Sequence, residues 1–449
     1  MLKKVVLTSA ILVVGCIIAL SWVIVKKEIT EAKLDLPQDA NYYITQQAEV
    51  ELPKDIEKIL RAKYLEKFYS PWDESIANPN IDEVFWIVPS LLKRPAFGPN
   101  LKRYSQEDMQ KIYNSMDIEH YPSVALKAII TQDTSVRAVP TILPSFKARD
   151  DYPFDRWQNA LIFKGTPVLI THYNTTRDFA HIQSGFVYGW VQVEHLAKIA
   201  PENEKILRNT QKYAIPNTDR IPIYNTHKDF VTMARMGEIF PIKKETQETF
   251  TIYIPEKKSD GFVELNRAEI LKNDFSLFPK KFNLLSMASV IDSMMGQFYG
   301  WGGELQSRDC SAFLRDSFTN FGIYLPRNSA AQARYTENLI DLREMNAKEK
   351  EAYIIKNATP FATILWLNGH VMLYLGVLDG RAIVAHSAWG VNTSKMFNQS
   401  MNLLGGVVIT TLTPASEKNG IFIKSKTLLD RVRGMSDLYD YILKIAQEG

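Results

Sequence analysis

From about Thr131 to Ile199 the apolar residues of this 449-residue chain recur at every second position, in runs too short for helices. Thr166–His172, Phe179–Gln183 and Tyr188–Val193 read as strands, parted by the polar stretch Asn174–Asp178 and by Ser184-Gly185. A second set follows at Ile221–Tyr224, Phe240–Lys243, Thr249–Pro255 and Gly261–Leu265. Two consecutive blocks of short strands, each of about 70 residues, predict two small β-barrels. Length alone suggests about three domains.

The flanking regions follow other periods. Between about Leu52 and Met116 the spacing is helical: Ile56, Ile59, Leu60, Tyr64 and Phe68 share a face, and Ser70-Pro71-Trp72 is expected to end that helix. A second helix should open at Ser105, with Asp108 completing a capping box. After about Ser286 the order is helix (Ser286–Gln297), glycine-bearing loop, helix (Cys310–Phe321, with Gly322 past its end), then strands at Thr363–Leu367, His370–Val377, Arg381–Ser387 and Leu404–Thr411. That order is an α+β layout. Leu428–Ala446 is expected to form one more helix.

With 46% hydrophobic residues, 23% charged residues and a formal net charge of +3, the chain is globular in composition and lacks the basic excess of a nucleic-acid binder. The N-terminus differs. Val5–Val25 carries no charge and is long enough to cross a hydrocarbon layer of about 30 Å. It reads as a retained signal anchor. Alternatives are a lipoprotein acylated at Cys16, suggested by Val13-Val14-Gly15-Cys16, or a cleaved signal. All three place the bulk of the chain outside the cytoplasm, while the tied flanking lysines leave orientation open.

Cys310 is the residue that carries chemistry. It stands where a glycine-rich loop gives way to an amphipathic helix, and Cys16, the other cysteine, lies in the apolar N-terminal segment. A helix start and a nearby imidazolium both favour thiolate, so a reactive, low-pKa thiol is expected. His370, at the head of an apolar strand, is the candidate base, and His386 on the next strand the candidate orienter. His172, His181 and His195 show no metal-ligand pattern, and Gly300–Gly303 lacks the Lys-Ser/Thr of a phosphate loop. No metal or cofactor is expected. Asp150, Asp151 and Asp155 read as a solvated loop unless Asp155 reaches the cleft, and Trp190 as barrel core.

Tyr299-Gly300-Trp301-Gly302-Gly303, Asp309-Cys310-Ser311, Gly322–Gln332, Gly369–Gly376 and Ala385-His386-Ser387 resemble the successive motifs of NlpC-type papain-like peptidases of bacterial cell walls. Upstream, Phe68–Trp72 and Phe97–Asn100 resemble the helical stabilising segment of one subgroup. Phe154–Gln158, Gly165–Val168, Tyr188–Val191 and Met236–Pro241 resemble its two bacterial SH3-like domains. The resemblance implies a papain-like catalytic domain and cleavage of the γ-D-glutamyl–diamino acid amide in peptidoglycan stem peptides. It also implies Cys310 as nucleophile, His370 as base and His386 as its orienter. Asp309, Ser311, Ser329 and Trp301 would line a subsite for the free amine of an N-terminal L-alanine, closed by an aromatic of the first barrel, here Tyr188. The expected partners are peptidoglycan peptides or murein fragments and, through the N-terminus, the membrane. Expected divisions are 1–27 (anchor or signal), 28–124 (helical segment), 125–200 and 201–280 (SH3-like) and 281–449 (catalytic). A non-catalytic wall-binding scaffold and an acyltransferase or amidase on the same core are the alternative functions.

The two histidines also impose a condition on register. Asp379-Gly380 reads as a two-residue hairpin turn, which pairs Leu378 with Arg381 and puts His386 opposite Leu373, on the face away from His370. For one histidine to orient the other, the hairpin needs an odd-numbered loop or a bulge. A one-residue shift sets His386 opposite Met372, diagonal to His370 at about 7–8 Å between backbones.

Overall fold

The structure, a computed structural model, describes residues 28–46, 52–53, 55–74, 76–93, 96–395, 398–414 and 426–448. The apolar segment within residues 1–27, with Cys16, lies outside these. Among the described residues no helix is long and apolar enough to cross a membrane.

The helical segment is built on Ile56–Asp73. This helix continues past Ser70, contrary to the sequence expectation, and carries Pro71 in its last turn. Pro71 has no N–H for the Lys67 carbonyl, and the Ser70 hydroxyl donates to that carbonyl instead at 2.9 Å. Its far end ties both barrels down: Trp72 Nε1 donates to the Ala128 carbonyl at 2.8 Å, and the Tyr69 and Tyr213 hydroxyls lie 3.0 Å apart. The helix Gln106–Ser115 opens on the expected capping box of Ser105 and Asp108.

The two β blocks form separate sheets. The first has seven strands in the spatial order Gln158–Ile162, Thr134–Arg137, Tyr188–Gln192, Phe179–Ser184, Pro167–Tyr173, Leu126–Ile130, Leu196–Lys198. Ile130, Val136, Ile162, Val168, Ile182 and Val191 close its core. A helix, Pro201–Arg208, leads to the second block, a five-stranded sheet with a two-stranded ribbon, Ile221–Tyr224 and Phe230–Ala234. Asp155 is not solvated: it is buried and pairs with Arg137 at 2.7 Å.

The C-terminal region is α+β. Helices Leu284–Asp292 and Cys310–Thr319 pack on a seven-stranded sheet ordered Glu28–Glu31, Asn398–Thr411, Arg381–Lys395, His370–Leu378, Thr363–Leu367, Gly434–Asp437, Ile340–Asp341. All neighbours are antiparallel except Glu28–Glu31, which runs parallel to Asn398–Thr411. The expected C-terminal helix is instead two short helices, Leu428–Arg431 and Leu438–Glu448, with the strand Gly434–Asp437 between them. That strand bridges Thr363–Leu367 and Ile340–Asp341, a pairing that local helical periodicity does not encode.

Candidate active site

The thiol helix starts at Cys310 because Asp309 caps it: the carboxylate accepts the Ala312 N–H at 2.9 Å, and the Asp309 carbonyl accepts the Phe313 N–H. It ends at Thr319, two residues short of the expected Phe321, and the chain turns away at Gly322, whose φ of 72° is left-handed, with the Ile323 N–H returning to the Phe318 carbonyl at 3.2 Å. Ten residues are helical and all are buried. Cys310 itself is 6% exposed. It shares a core cluster with Val371, so the thiol helix packs on the strand one residue from His370.

The histidine hairpin resolves the register condition with two features at once. Leu378 pairs with Arg381 across a two-residue turn in which Asp379 and Gly380 both have positive φ. Between Tyr374 and Gly376 the register then shifts, leaving Leu375 as a bulge. Beyond the bulge Leu373 faces Ala385, and His386 moves to the face of Met372 and Val384. His370 Nε2 lies 2.7 Å from His386 Nδ1, and His386 Nε2 lies 3.1 Å from the Thr410 hydroxyl. Val371, Leu373 and Leu375 fill the core beneath the thiol helix on the other face. The imidazole pair thus stands at the start of the strand, on the sheet face opposite that core.

Asp309 is the most heavily engaged group nearby. Arg327 Nη2 donates to its Oδ2 at 2.5 Å and Arg327 Nη1 to its Oδ1 at 3.1 Å. The Gly302 N–H and the Ser311 hydroxyl donate to it as well. Arg327 lowers the Asp309 carboxyl below the usual range against the effect of burial. The free carboxylate that the resemblance implies for an incoming ammonium is thus already matched by a buried cation. Ser311 also accepts Arg327 Nη1 at 2.6 Å, and Ser329 begins the short helix that Asn328 caps.

Trp301 joins the catalytic region to the first barrel. Its Nε1 donates to the Asp155 carbonyl at 2.7 Å, the Phe154 ring meets it edge-on at 5.2 Å, and the Arg156 guanidinium lies 5.4 Å from its centre. The adjacent glycines explain the loop: a Cβ at Gly302 or Gly303 would come within 2.7 Å of the backbone of Gln158 or Leu161. Tyr188 does not join this group. Its hydroxyl faces Glu83 at 3.4 Å and its ring faces His181, on the side of the helical segment. The first-barrel aromatics that reach the loop are Phe154 and Tyr152, the latter against Trp389, whose ring also contacts Tyr299. Sequence reasoning gave no role to Arg327, Tyr299 or Arg156. All three stand within the motif stretches Gly322–Gln332, Tyr299–Gly303 and Phe154–Gln158, the signal that could have found them.

Electrostatics correct the expectation of a low-pKa thiol. Burial, reinforced by the Asp309 carboxylate, pushes the Cys310 thiol up to about 12, outweighing the N–H groups that favour the anion. Burial holds His370 down to about 3, and burial with the neighbouring His370 lowers His386 as well. The thiol and both imidazoles are therefore neutral at rest.

A buried thiol at a capped helix start, with paired histidines on the adjoining antiparallel sheet, defines an α+β cysteine-centre domain, here carried with two SH3-like sheets and a helical segment. Residues 296–404 match the NlpC/P60 family, 19–121 the NLPC_P60 stabilising domain, 142–192 an SH3 domain of SH3b1 type and 202–247 an SH3 domain of SH3b2 type. The chain therefore belongs with the NlpC/P60 proteins, a family of bacterial cell-wall hydrolases. Its fold is similar to that of an NlpC/P60 endopeptidase from Photobacterium damselae subsp. piscicida, at TM-score 0.80 and 20% identity over 92% of this chain and 99% of that one. A Bacillus cereus NlpC/P60 family protein aligns at TM-score 0.46 and 15% identity over 70% of this chain and 99% of that one. No curated protein matches the chain.

Proposed function

We propose that the chain is a cysteine endopeptidase of peptidoglycan stem peptides, cleaving the γ-D-glutamyl–diamino acid amide outside the cytoplasm, with residues 1–27 as its membrane anchor. The observation that carries this reading is the 2.7 Å contact of His370 Nε2 with His386 Nδ1, on a strand whose next residue, Val371, shares a core cluster with Cys310. With the His386 Nε2–H donating to Thr410, His386 Nδ1 is left as acceptor and His370 donates from Nε2. His370 Nδ1 then carries the lone pair that takes the thiol proton.

Because thiol and imidazole are both neutral at rest, proton transfer accompanies attack. Cys310 Sγ adds to the amide carbon while His370 takes its proton. The N–H of Cys310 at the helix start is suited to the developing oxyanion. His370 returns the proton to the leaving amine, and water, deprotonated by His370, hydrolyses the thioester. Trp301, Ser311 and Ser329 are the candidate substrate contacts, with Tyr152 and Phe154 in place of Tyr188. Asp309 serves mainly to cap the helix and hold Arg327.

The test is incubation with purified stem peptides followed by mass spectrometry. The expected products are a γ-D-glutamyl fragment and a peptide with a free diamino acid amine. Intact peptide, with thiol and fold verified, would refute the reading.

A further inference from the structure

Arg156 belongs to the first SH3-like domain but stands against the catalytic loop. Its guanidinium lies 5.4 Å from the centre of the Trp301 ring and 5.6 Å from that of Phe154, close enough for both π faces to hold and orient the charge. The backbone beneath it is pinned. The Arg156 N–H donates to the Ser145 carbonyl at 2.7 Å, and buried Asp155 accepts the N–H groups of Ser145 and Trp157 at 2.8 and 2.9 Å. Two residues on, Gln158 Nε2 donates to the Gly302 carbonyl at 3.0 Å and fixes the barrel against the loop.

The charge of Arg156 also reaches the surroundings of the thiol. Burial, followed by Asp309 and Cys310, pushes the Tyr299 hydroxyl far above its usual range, while Arg327 and Arg156 oppose that rise. One hydroxyl thus feels both the thiol and Arg156.

Three other arginines lie in or beside the thiol helix, each locked in a buried ion pair. Arg308 bridges Asp219 and Asp316 at 2.7 Å each, Arg315 pairs with Asp316 at 2.7 Å, and Arg327 pairs with Asp309. Arg156 differs. Its side chain is 31% exposed. Among the described residues its hydrogen bonds all leave from Nη2, to the two Asp151 oxygens at 3.1 and 3.3 Å, so Nη1 has no described acceptor. Asp151 does not exclude a second carboxylate, since a planar guanidinium can serve two at once, as Arg308 does here.

The proposed substrate supplies that second carboxylate. A γ-D-glutamyl amide leaves the α-carboxylate of the same residue free, a short carbon chain away from the carbon that Cys310 would attack. Seating the amide at the thiol therefore draws a negative charge into the site, and desolvating it without a cationic partner is costly. We propose, on the endopeptidase reading above, that Arg156 is a specificity-determining residue whose Nη1 receives the α-carboxylate of the γ-D-glutamyl unit while Asp151 holds Nη2.

Titration calorimetry of the Cys310→Ala protein reads binding apart from cleavage. Three stem peptides serve as probes: one with D-glutamate, one with its α-carboxylate amidated as D-isoglutamine, and one with the diamino acid carboxylate amidated instead. The first should bind about 10–100-fold more tightly than the second, the worth of one charge-assisted hydrogen bond, and about as tightly as the third. Adding Arg156→Met should bring the first and second together, and Arg156→Lys should keep part of the difference. Asp151→Asn, which removes the competing carboxylate, should keep or widen it. In the parent enzyme the preference should appear in KM more than in kcat. A purely structural Arg156 would weaken all three peptides alike in Arg156→Met, and that result would overturn the proposal. Equal affinity for the D-glutamate and D-isoglutamine peptides, or a loss confined to the third peptide, would overturn it too. If binding discriminates as expected and the parent chain cleaves no peptide, the endopeptidase reading fails and the carboxylate site at Arg156 stands.

Discussion

Arg327 holds both carboxylate oxygens of Asp309, the residue immediately before the proposed nucleophile, at 2.5 and 3.1 Å. Both side chains are at most 10% exposed, so the pair stabilises only as a pair, and removing one charge strands the other. It turns Asp309 from an open receptor for a substrate amine into part of the scaffold of the thiol helix.

Asp309→Asn should therefore lower stability by about 3–5 kcal/mol, the range for breaking a buried pair, as read by urea unfolding. Its activity on free-amine and N-acetylated stem peptides should fall by the same factor. A loss confined to free-amine peptides would restore the amine-receptor role.

Alkylation of Cys310 should be slow at neutral pH and keep rising into alkaline pH. A thiol pushed up to about 12 is almost wholly protonated at pH 7, and its thiolate fraction grows about tenfold per pH unit. Residue-resolved mass spectrometry of iodoacetamide labelling between pH 6 and 10 measures this. A plateau reached below pH 8 would show a thiolate site. Cys310→Ala should abolish hydrolysis without moving Tm by more than a few degrees.

His386→Ala should cost about 10²–10⁴-fold in kcat, the scale seen when the orienting member of a triad is lost. His386→Asn should recover part of it, because its carbonyl oxygen can still accept the His370 Nε2–H. Equal activity in His386→Ala and the parent enzyme would remove His386 from the mechanism.

Acid should destabilise the fold through its buried imidazoles. Burial holds His181 down to about 3, against 6.5 for the free side chain. Below pH 6.5 the unfolded chain binds a proton that the folded chain refuses. The stability contributed by neutral His181 is therefore whole above 6.5 and lost as pH falls toward 3, by about 1.4 kcal/mol per pH unit. His370 and His386 shift in the same direction. Unfolding free energies at pH 7.5, 6 and 5 should decline accordingly, with a shallower slope in His181→Gln.

The two β blocks, the α+β C-terminal region and the positions of Cys310, His370 and His386 were legible in the chain. Periodicity and turn chemistry are local, and motif residues are contiguous. The requirement for a bulge was legible too, since two histidines on one face are incompatible with a bare two-residue turn. Its position at Leu375 was not: a bulge is placed by packing on both sheet faces, and here it hands Val377 and Leu378 to opposite cores from those their numbering alone assigns.

What the sequence determined by itself was the order of elements and the residue types able to do chemistry, because these depend on neighbours a few positions apart. Only tertiary structure decided which groups meet. Arg327 reaches Asp309 across 18 positions and Asp219 reaches Arg308 across 89; Phe154 and Tyr152, not Tyr188, are the barrel aromatics at the loop. The pKa of Cys310 was decided there as well. A helix start favours thiolate, but the desolvation that outweighs it comes from the strand and loops folded over the sulfur, which no local pattern records.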